Sequence, residues 1–290
     1  MGTGVAAELS QSLRIVAYST LAACRYYLWM MRERPEHAKG RIDIGDARIF
    51  FLSYGRGEPL LMLHGGFTFA ESWIGQTPQM AQRYRVIAPD SRGHGRSTLG
   101  TMPITFRQMA DDMAALVENL GLGGVHLVGW SDGGCTCLAM ALQRPELVRS
   151  MVLLGTPFNT DNYGVEGRRE MENILSPRSL SMLSLRSMRR LMTPEPHRGK
   201  EFLEEMSLMW RTLPDFTTED LGRIEAPTLV IGCDRDEFLS LWPDPLQVFK
   251  DTAAAIPGAR LEVVRGGTHF VSLEKAREVN ALILGFIDSL

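Results

Sequence analysis

Val125-His126-Leu127-Val128-Gly129-Trp130-Ser131-Asp132-Gly133-Gly134 is the stretch that decides how this chain is read. A short apolar run, of the length of a buried strand, passes into small residues that crowd a sharp turn, and Cys135 to Leu142 then carries the pattern of a helix. A strand–turn–helix bearing Gly-x-Ser-x-Gly is a nucleophile elbow. Its serine is held in a strained backbone conformation, and a side chain at 129 or 133 would strike the neighbouring strand or helix. The bland competitor is a chance pentapeptide in a chain with 28 glycines. The strand before the motif and the helix after it argue against chance.

Upstream of the elbow, Arg41–Ile44 and Arg48–Tyr54 alternate around Gly45-Asp46 as a β-hairpin. Leu60–Leu63 is a strand buried on both faces and ends at His64-Gly65-Gly66-Phe67. Arg85–Ala88 is the next, running into the polar, glycine-rich loop Asp90–Ser97. Thr105-Phe106-Arg107-Gln108 reads as a capping box, followed by helical spacing through Met109, Met113, Leu116, Val117 and Leu120 up to Gly121. Downstream lie strands at Met151–Leu154, Thr228–Ile231 and Arg260–Val264, a helix near Pro245–Ile256, and a final helix with Val279, Leu282, Ile283 and Phe286 on its inner face. Strands alternating with helices predict a mostly parallel central sheet covered by helices on both faces. Between Pro157 and Pro227 the pattern changes to helices at Glu170–Met192 and Glu201–Trp210, rich in methionine at 171, 182, 188, 192, 206 and 209. Residues 158–226 are therefore expected to form an inserted helical lid between core segments 41–157 and 227–290. Most of those methionines would be ordinary packing, with one or two lining an adaptable pocket.

The chain has 290 residues, 44% of them hydrophobic, enough for one large core. A net charge of −3 with both signs dispersed leaves no nucleic-acid footprint. Cys24, Cys135, Cys137 and Cys233 have no metal-ligand spacing, so reduced thiols and no metal or other cofactor are expected.

Ser131, Asp236 and His269 all fall just past the carboxyl ends of strands, where open parallel sheets place their sites, and in the order Ser…Asp…His. A serine hydroxyl is a weak nucleophile; His269 would take its proton and return it to the leaving group, while Asp236 orients the imidazole and stabilises its cation. Asp234 is the competing acid, less favoured because Asp236 lies further out along its loop. A tetrahedral oxyanion needs two fixed donors. One is the Asp132 amide at the start of a helix; the other comes from His64–Phe67, with Gly66 preferred and Phe67 the alternative. Phe67, Trp130 and Asp132 are expected to line the substrate pocket. The Asp132 carboxylate has a simple reading, as a first-turn acid favoured by the helix dipole.

His64-Gly65-Gly66, Asp90-x-Arg92-Gly93-x-Gly95-x-Ser97, Gly129-Trp130-Ser131-Asp132-Gly133-Gly134, Asp236 and His269 together resemble the α/β-hydrolase superfamily over roughly residues 41–290. The Trp-Ser-Asp elbow is similar to that of the valacyclovir-hydrolase (biphenyl hydrolase-like) serine esterases, a resemblance that implies a second reading of Asp132 as receptor for a cationic group such as an α-amino group. Cys233 departs from the glycine that commonly ends the strand before the acid loop. Within the superfamily, Ser131 argues against the aspartate-nucleophile dehalogenases and epoxide hydrolases, and Trp130 differs from the asparagine usual in carbon–carbon bond hydrolases. Hydrolysis of a small-molecule carboxylic ester is the expectation. A ligand sensor of the same fold, or a carbon–carbon bond or lactone hydrolase, are the alternatives.

Residues 1–40 have no counterpart in that core. Arg14, Arg25 and Arg32 fall on one face of a helix whose remainder, within 14–32, is strongly apolar. An interfacial helix on an anionic membrane and a helix packed on the body are both expected readings, placing the protein in the cytoplasm or at a membrane surface. Leu21-Ala22-Ala23-Cys24 resembles a lipoprotein cleavage box, a weaker reading because the apolar character continues past Cys24.

Overall fold

The computed structural model describes residues 20–22, 24–33, 37–176, 180–239 and 244–290. Eight strands form one sheet: β1 (His37–Asp43), β2 (Arg48–Tyr54), β3 (Glu58–Leu63), β4 (Tyr84–Pro89), β5 (Val125–Trp130), β6 (Val148–Leu154), β7 (Thr228–Cys233) and β8 (Arg260–Val264), in the spatial order β1-β2-β4-β3-β5-β6-β7-β8. β1 pairs antiparallel with β2 and β2 antiparallel with β4; every later pairing is parallel. The fold is an α/β-hydrolase fold.

The two-residue period of the strands builds two cores. Leu61, Leu63, Leu127, Met151, Leu153 and Val230 face one side, against α1 (Phe106–Asn119), α2 (Asp132–Gln143) and, from later in the chain, the helix Gln247–Ala255. Leu60, Met62, Val128, Val152, Leu154 and Ile231 face the other, against the C-terminal helix Ala276–Ile287 and the turn Ala70–Gly75. With apolar residues pointing both ways, the central strands had to read as unbroken hydrophobic runs.

The longer helices described between β6 and β7 are α3 (Gly164–Leu175), α4 (Leu180–Met192) and α5 (Gly199–Thr212). The single helix expected over Glu170–Met192 is thus two. Ser176 is already extended, with ψ 125°, because the following Pro177 disfavours helical backbone at the residue before it. The insertion is pinched at its base, where Phe216 N–H donates to the Phe158 carbonyl at 3.0 Å and Asn159 bridges to Asp215. Completing the helices in chain order, α6 is Gln247–Ala255 and α7 is Ala276–Ile287.

Two further expectations need correction. The Thr105 hydroxyl caps α1 by accepting from Gln108 N–H at 3.0 Å, but the Gln108 side chain reaches forward to Asp112 at 3.1 Å, so the capping box is only half made. The core begins at His37, not at Arg41, since 37–40 pair with Phe51–Tyr54 in the sheet. Ahead of it, residues 20–22 and 24–33 are helical and pack on the body through Ala22 and Trp29, while Leu21, Tyr27, Leu28 and Met31 stay exposed with Arg25 and Arg32. Arg14 and the rest of the first 19 residues lie outside the described part. No helix among the described residues is long and apolar enough to cross a membrane.

Candidate active site

Ser131 terminates β5 with φ 55° and ψ −120°, a left-handed conformation that costs a non-glycine residue about 1–3 kcal/mol. The surroundings hold it there: its amide donates to the Leu154 carbonyl of β6 at 2.9 Å, and its carbonyl accepts from Gly134 and Cys135 in the first turn of α2. The glycines let helix and strand approach. A Cβ on Gly133 would fall on the Leu63 carbonyl, and one on Gly129 would come within 2.5 Å of the Gly133 carbonyl.

The loop after β7 carries Asp236, fully buried, and the loop after β8 carries His269. Asp236 Oδ1 accepts from the amides of Phe238 and Leu239 at 3.0 and 3.1 Å, leaving Oδ2 to accept from His269 Nδ1 at 2.8 Å. That bond fixes the tautomer, with Nε2 carrying the free lone pair. Asp234 faces elsewhere: it accepts from the Gly266 amide at 2.6 Å and lies near Arg265, tying the two loops together. Cys233 continues β7 as a buried strand residue opposite Val264, so the absent glycine does not interrupt the strand. Trp130 Nε1 donates to the His269 carbonyl at 2.8 Å and the Glu237 carboxylate accepts from the His269 amide at 2.8 Å. The histidine is thereby held by its ring, its carbonyl and its amide. Trp130 was expected in the pocket; it lines the pocket and also braces this loop. Glu237 went unremarked in the sequence because nothing local marks it.

The third loop follows β3. Burial keeps the His64 ring below its ordinary pKa and therefore neutral. Nδ1 bonds to the Gly65 carbonyl at 2.8 Å and Nε2 accepts from the Ser91 amide at 3.0 Å, so His64 anchors the loop and lies beneath the pocket. Gly66 and Phe67 then reach the pocket beside Ser131 and Asp132. The amides of Gly66 and Asp132 donate to no group among the described residues. A Cβ at Gly66 would fall on the Asp132 carboxylate. Phe67 takes φ 58°, its ring edge-on to Phe202 and Trp210 at 5.7 and 5.1 Å.

Asp132 is where local and tertiary effects diverge. Its carboxylate is not a solvated first-turn acid: it is buried against Gly66 and accepts from Trp210 Nε1 on α5 at 2.9 Å. Burial pushes its pKa up to about 6, against the opposing pull of the Trp210 bond and His269. The helix dipole, worth about 0.3–1 kcal/mol, is overridden by desolvation. Trp210 escaped the sequence reading, since as the end of an amphipathic helix it looks like packing. The remaining pocket wall is apolar, from Tyr163, Met171, Ile174, Phe238 and Phe270, and encloses about 60 Å³. Met171 is thus a pocket methionine, Met206 and Met209 are core, and the side chains of Met182 and Met188 lie outside the described part.

A strained serine at a strand–helix elbow, with a histidine–aspartate pair on the following loops, defines the class of α/β-hydrolase proteins. Residues 60–282 match the model of the alpha/beta hydrolase family, and the chain belongs to that family. It is 32% identical over 276 residues to a non-heme haloperoxidase of Rhodococcus erythropolis, covering 83% of this chain and 96% of that protein. It is 27% identical over 273 residues to the 2-hydroxy-6-oxononadienedioate/2-hydroxy-6-oxononatrienedioate hydrolase 2 of Pseudomonas putida, covering 83% of this chain and 92% of that one. Among solved structures, Est816, described as an N-acyl homoserine lactone degrading enzyme, superposes with a TM-score of 0.68 at 25% identity, covering 85% of this chain and 100% of the other.

Proposed function

We propose that this chain is a serine hydrolase that cleaves a carboxylic ester or related acyl compound through an acyl-enzyme intermediate. The observation that carries the reading is the meeting of three features: Ser131 at φ 55°, the His269–Asp236 bond of 2.8 Å, and the unengaged amides of Gly66 and Asp132 around one apolar pocket. In this reading Ser131 Oγ attacks the carbonyl carbon while His269 Nε2 accepts its proton. The new C–O⁻ accepts from the Gly66 and Asp132 amides, each donor typically worth about 2.7–4 kcal/mol. Collapse breaks the bond to the leaving alkoxide, which takes the proton from His269. Water then repeats both steps on the acyl-enzyme, releasing the acid and restoring Ser131. Asp236 orients the imidazole and stabilises the imidazolium.

The test is fluorophosphonate labelling and multiple-turnover assay over aryl esters, thioesters and lactones. Ser131→Ala is expected to lose all labelling and at least about a thousandfold in kcat, with an unchanged melting temperature. Labelling that survives in the variant would identify another nucleophile and overturn the assignment. Labelling without multiple turnover on any of these substrates would favour a sensor over an enzyme.

A further inference from the structure

Beside the small pocket at Ser131 lies a cavity of about 720 Å³, roofed by α4 and the start of α5. Phe67 and Thr68 line both spaces, so the two adjoin across the Phe67 ring. The walls of the larger cavity are cationic: Arg186, Arg189 and Arg190 from α4, His197, and Lys200 from α5, with no aspartate or glutamate among its described lining residues. Arg186 and Arg190 are exposed and take no carboxylate partner among the described residues. Arg189 is the fixed member. Its Nε donates to the Gly93 carbonyl at 3.2 Å, its Nη1 donates to the Glu195 carbonyl at 3.5 Å and its guanidinium stacks 4.5 Å from the Phe202 ring centre, while its Nη2 is buried without a partner. His94 also packs edge-on with Phe202, ring centres 5.0 Å apart. Its Nδ1 bonds to the Arg92 carbonyl at 3.0 Å, leaving Nε2 as a buried acceptor, also without a partner. A donor cation and a neutral acceptor, both unmet, pack against one aromatic ring at the cavity wall.

Resting on the serine-hydrolase reading above, we propose that this cavity is the subsite for an anionic limb of the substrate, a carboxylate held by Arg189 and steered by Arg186, Arg190 and Lys200. Arg189 is half-buried and bonded only to backbone carbonyls, so its charge has no counter-ion among these contacts, and a carboxylate is the group that answers it with a charge-assisted bond. Asp132 sets the polarity of the arrangement. Its carboxylate beside Ser131 repels an anion from the 60 Å³ pocket, so the short neutral end enters there and the charged end remains across Phe67. The substrate class is accordingly a half-ester or similar acyl compound bearing a carboxylate remote from the scissile bond.

Binding can be read without turnover, which separates this inference from the chemistry. Titration calorimetry on the Ser131→Ala protein would compare phenyl hydrogen glutarate with phenyl methyl glutarate, which differ in the remote charge and by one methyl group. The half-ester is expected to bind at least about tenfold more tightly, and Arg189→Gln to remove most of that difference. Arg186→Gln/Arg190→Gln changes exposed residues and is expected to lower the preference at low salt more than at high salt. That double variant also serves if Arg189→Gln fails to fold. Equal affinity for the two esters, or a preference unmoved by either variant, overturns the subsite. Loss of fluorophosphonate labelling in the wild-type chain with the binding preference intact would instead strike the serine-hydrolase reading and leave the anion subsite standing.

Discussion

His269 is subject to opposing influences. Burial lowers its pKa, but Asp236, with smaller help from Glu237 and Asp132, outweighs it, and the net position is above the ordinary 6.5. In the proposed mechanism His269 must be neutral to accept the serine proton, so the acid limb of kcat/KM is expected above pH 6.5. Asp236→Asn should move that limb to lower pH and reduce kcat by about 10²–10⁴-fold; a pH profile of both proteins checks it, and an unmoved limb would mean that Asp236 is not the partner. Asp132 gives the opposite kind of prediction, on stability. With a folded pKa of about 6 against an ordinary 3.8, it is protonated in both states below pH 3.8 and costs nothing. Between these values the unfolded chain ionises first, and above about pH 6 the folded protein holds an unfavourably buried carboxylate. Asp132→Asn, which can still accept from Trp210, should therefore raise stability at pH 8 by on the order of 2 kcal/mol and have little effect at pH 4. Denaturant melts at the two pH values decide it; equal effects at both would place the carboxylate in solvent.

Among elements, the loop Asp90–Ser97 shows how a motif can serve a site without entering it. Arg92, fully buried, forms a two-pronged bond to Asp112 of α1 at 2.7 and 2.6 Å and reaches Asp46 of the β1–β2 turn at 3.2 Å. Arg96 bridges Glu71 and Asp90, and Asp90 in turn accepts from the Ala70 amide at 2.8 Å. These ions join the hairpin, α1 and the segment after the His64–Phe67 loop. Arg92→Ala strands a buried carboxylate and should cost about 3–5 kcal/mol by urea denaturation, whereas removing Arg92 and Asp112 together should cost less than the sum of the single changes. Additive losses would show that the two side chains do not act as a pair.

For the whole molecule, the segment before the sheet behaves as part of the body. Trp29 is 8% exposed, packs with its ring tilted 5.2 Å from that of Tyr54 of β2, and donates to Glu33 at 2.8 Å, while the Tyr26 and Tyr54 hydroxyls meet at 3.0 Å. Trp29→Ala should destabilise by about 3 kcal/mol, and deleting residues 1–36 should lower the melting temperature of the whole domain. A truncated protein that melts like the full chain would mean that the segment is an appendage.

Much of the architecture was legible because it is written in local patterns. Unbroken apolar runs of strand length can only be strands covered on both faces, and Gly-x-Ser-x-Gly between a strand and a helix leaves the serine one backbone conformation. The positions of Ser131, Asp236 and His269 follow from the same logic, since each stands just past a strand and a parallel sheet gathers those ends at one edge. Partners across elements were not legible. The sequence placed Asp132 at the pocket and at a helix dipole, but only the arrival of Trp210 from 78 residues away supplies the partner of its buried carboxylate. Gln108 likewise has the spacing to cap its own helix, and Asp112, itself engaged with Arg92, draws it away. The arginines of α4 look like a solvated helix face until the fold sets them over Phe67. Local propensity is decided by covalent neighbours and is present in the unfolded chain. Burial, and the choice of partner it forces on a polar group, exists only after distant segments have closed around it.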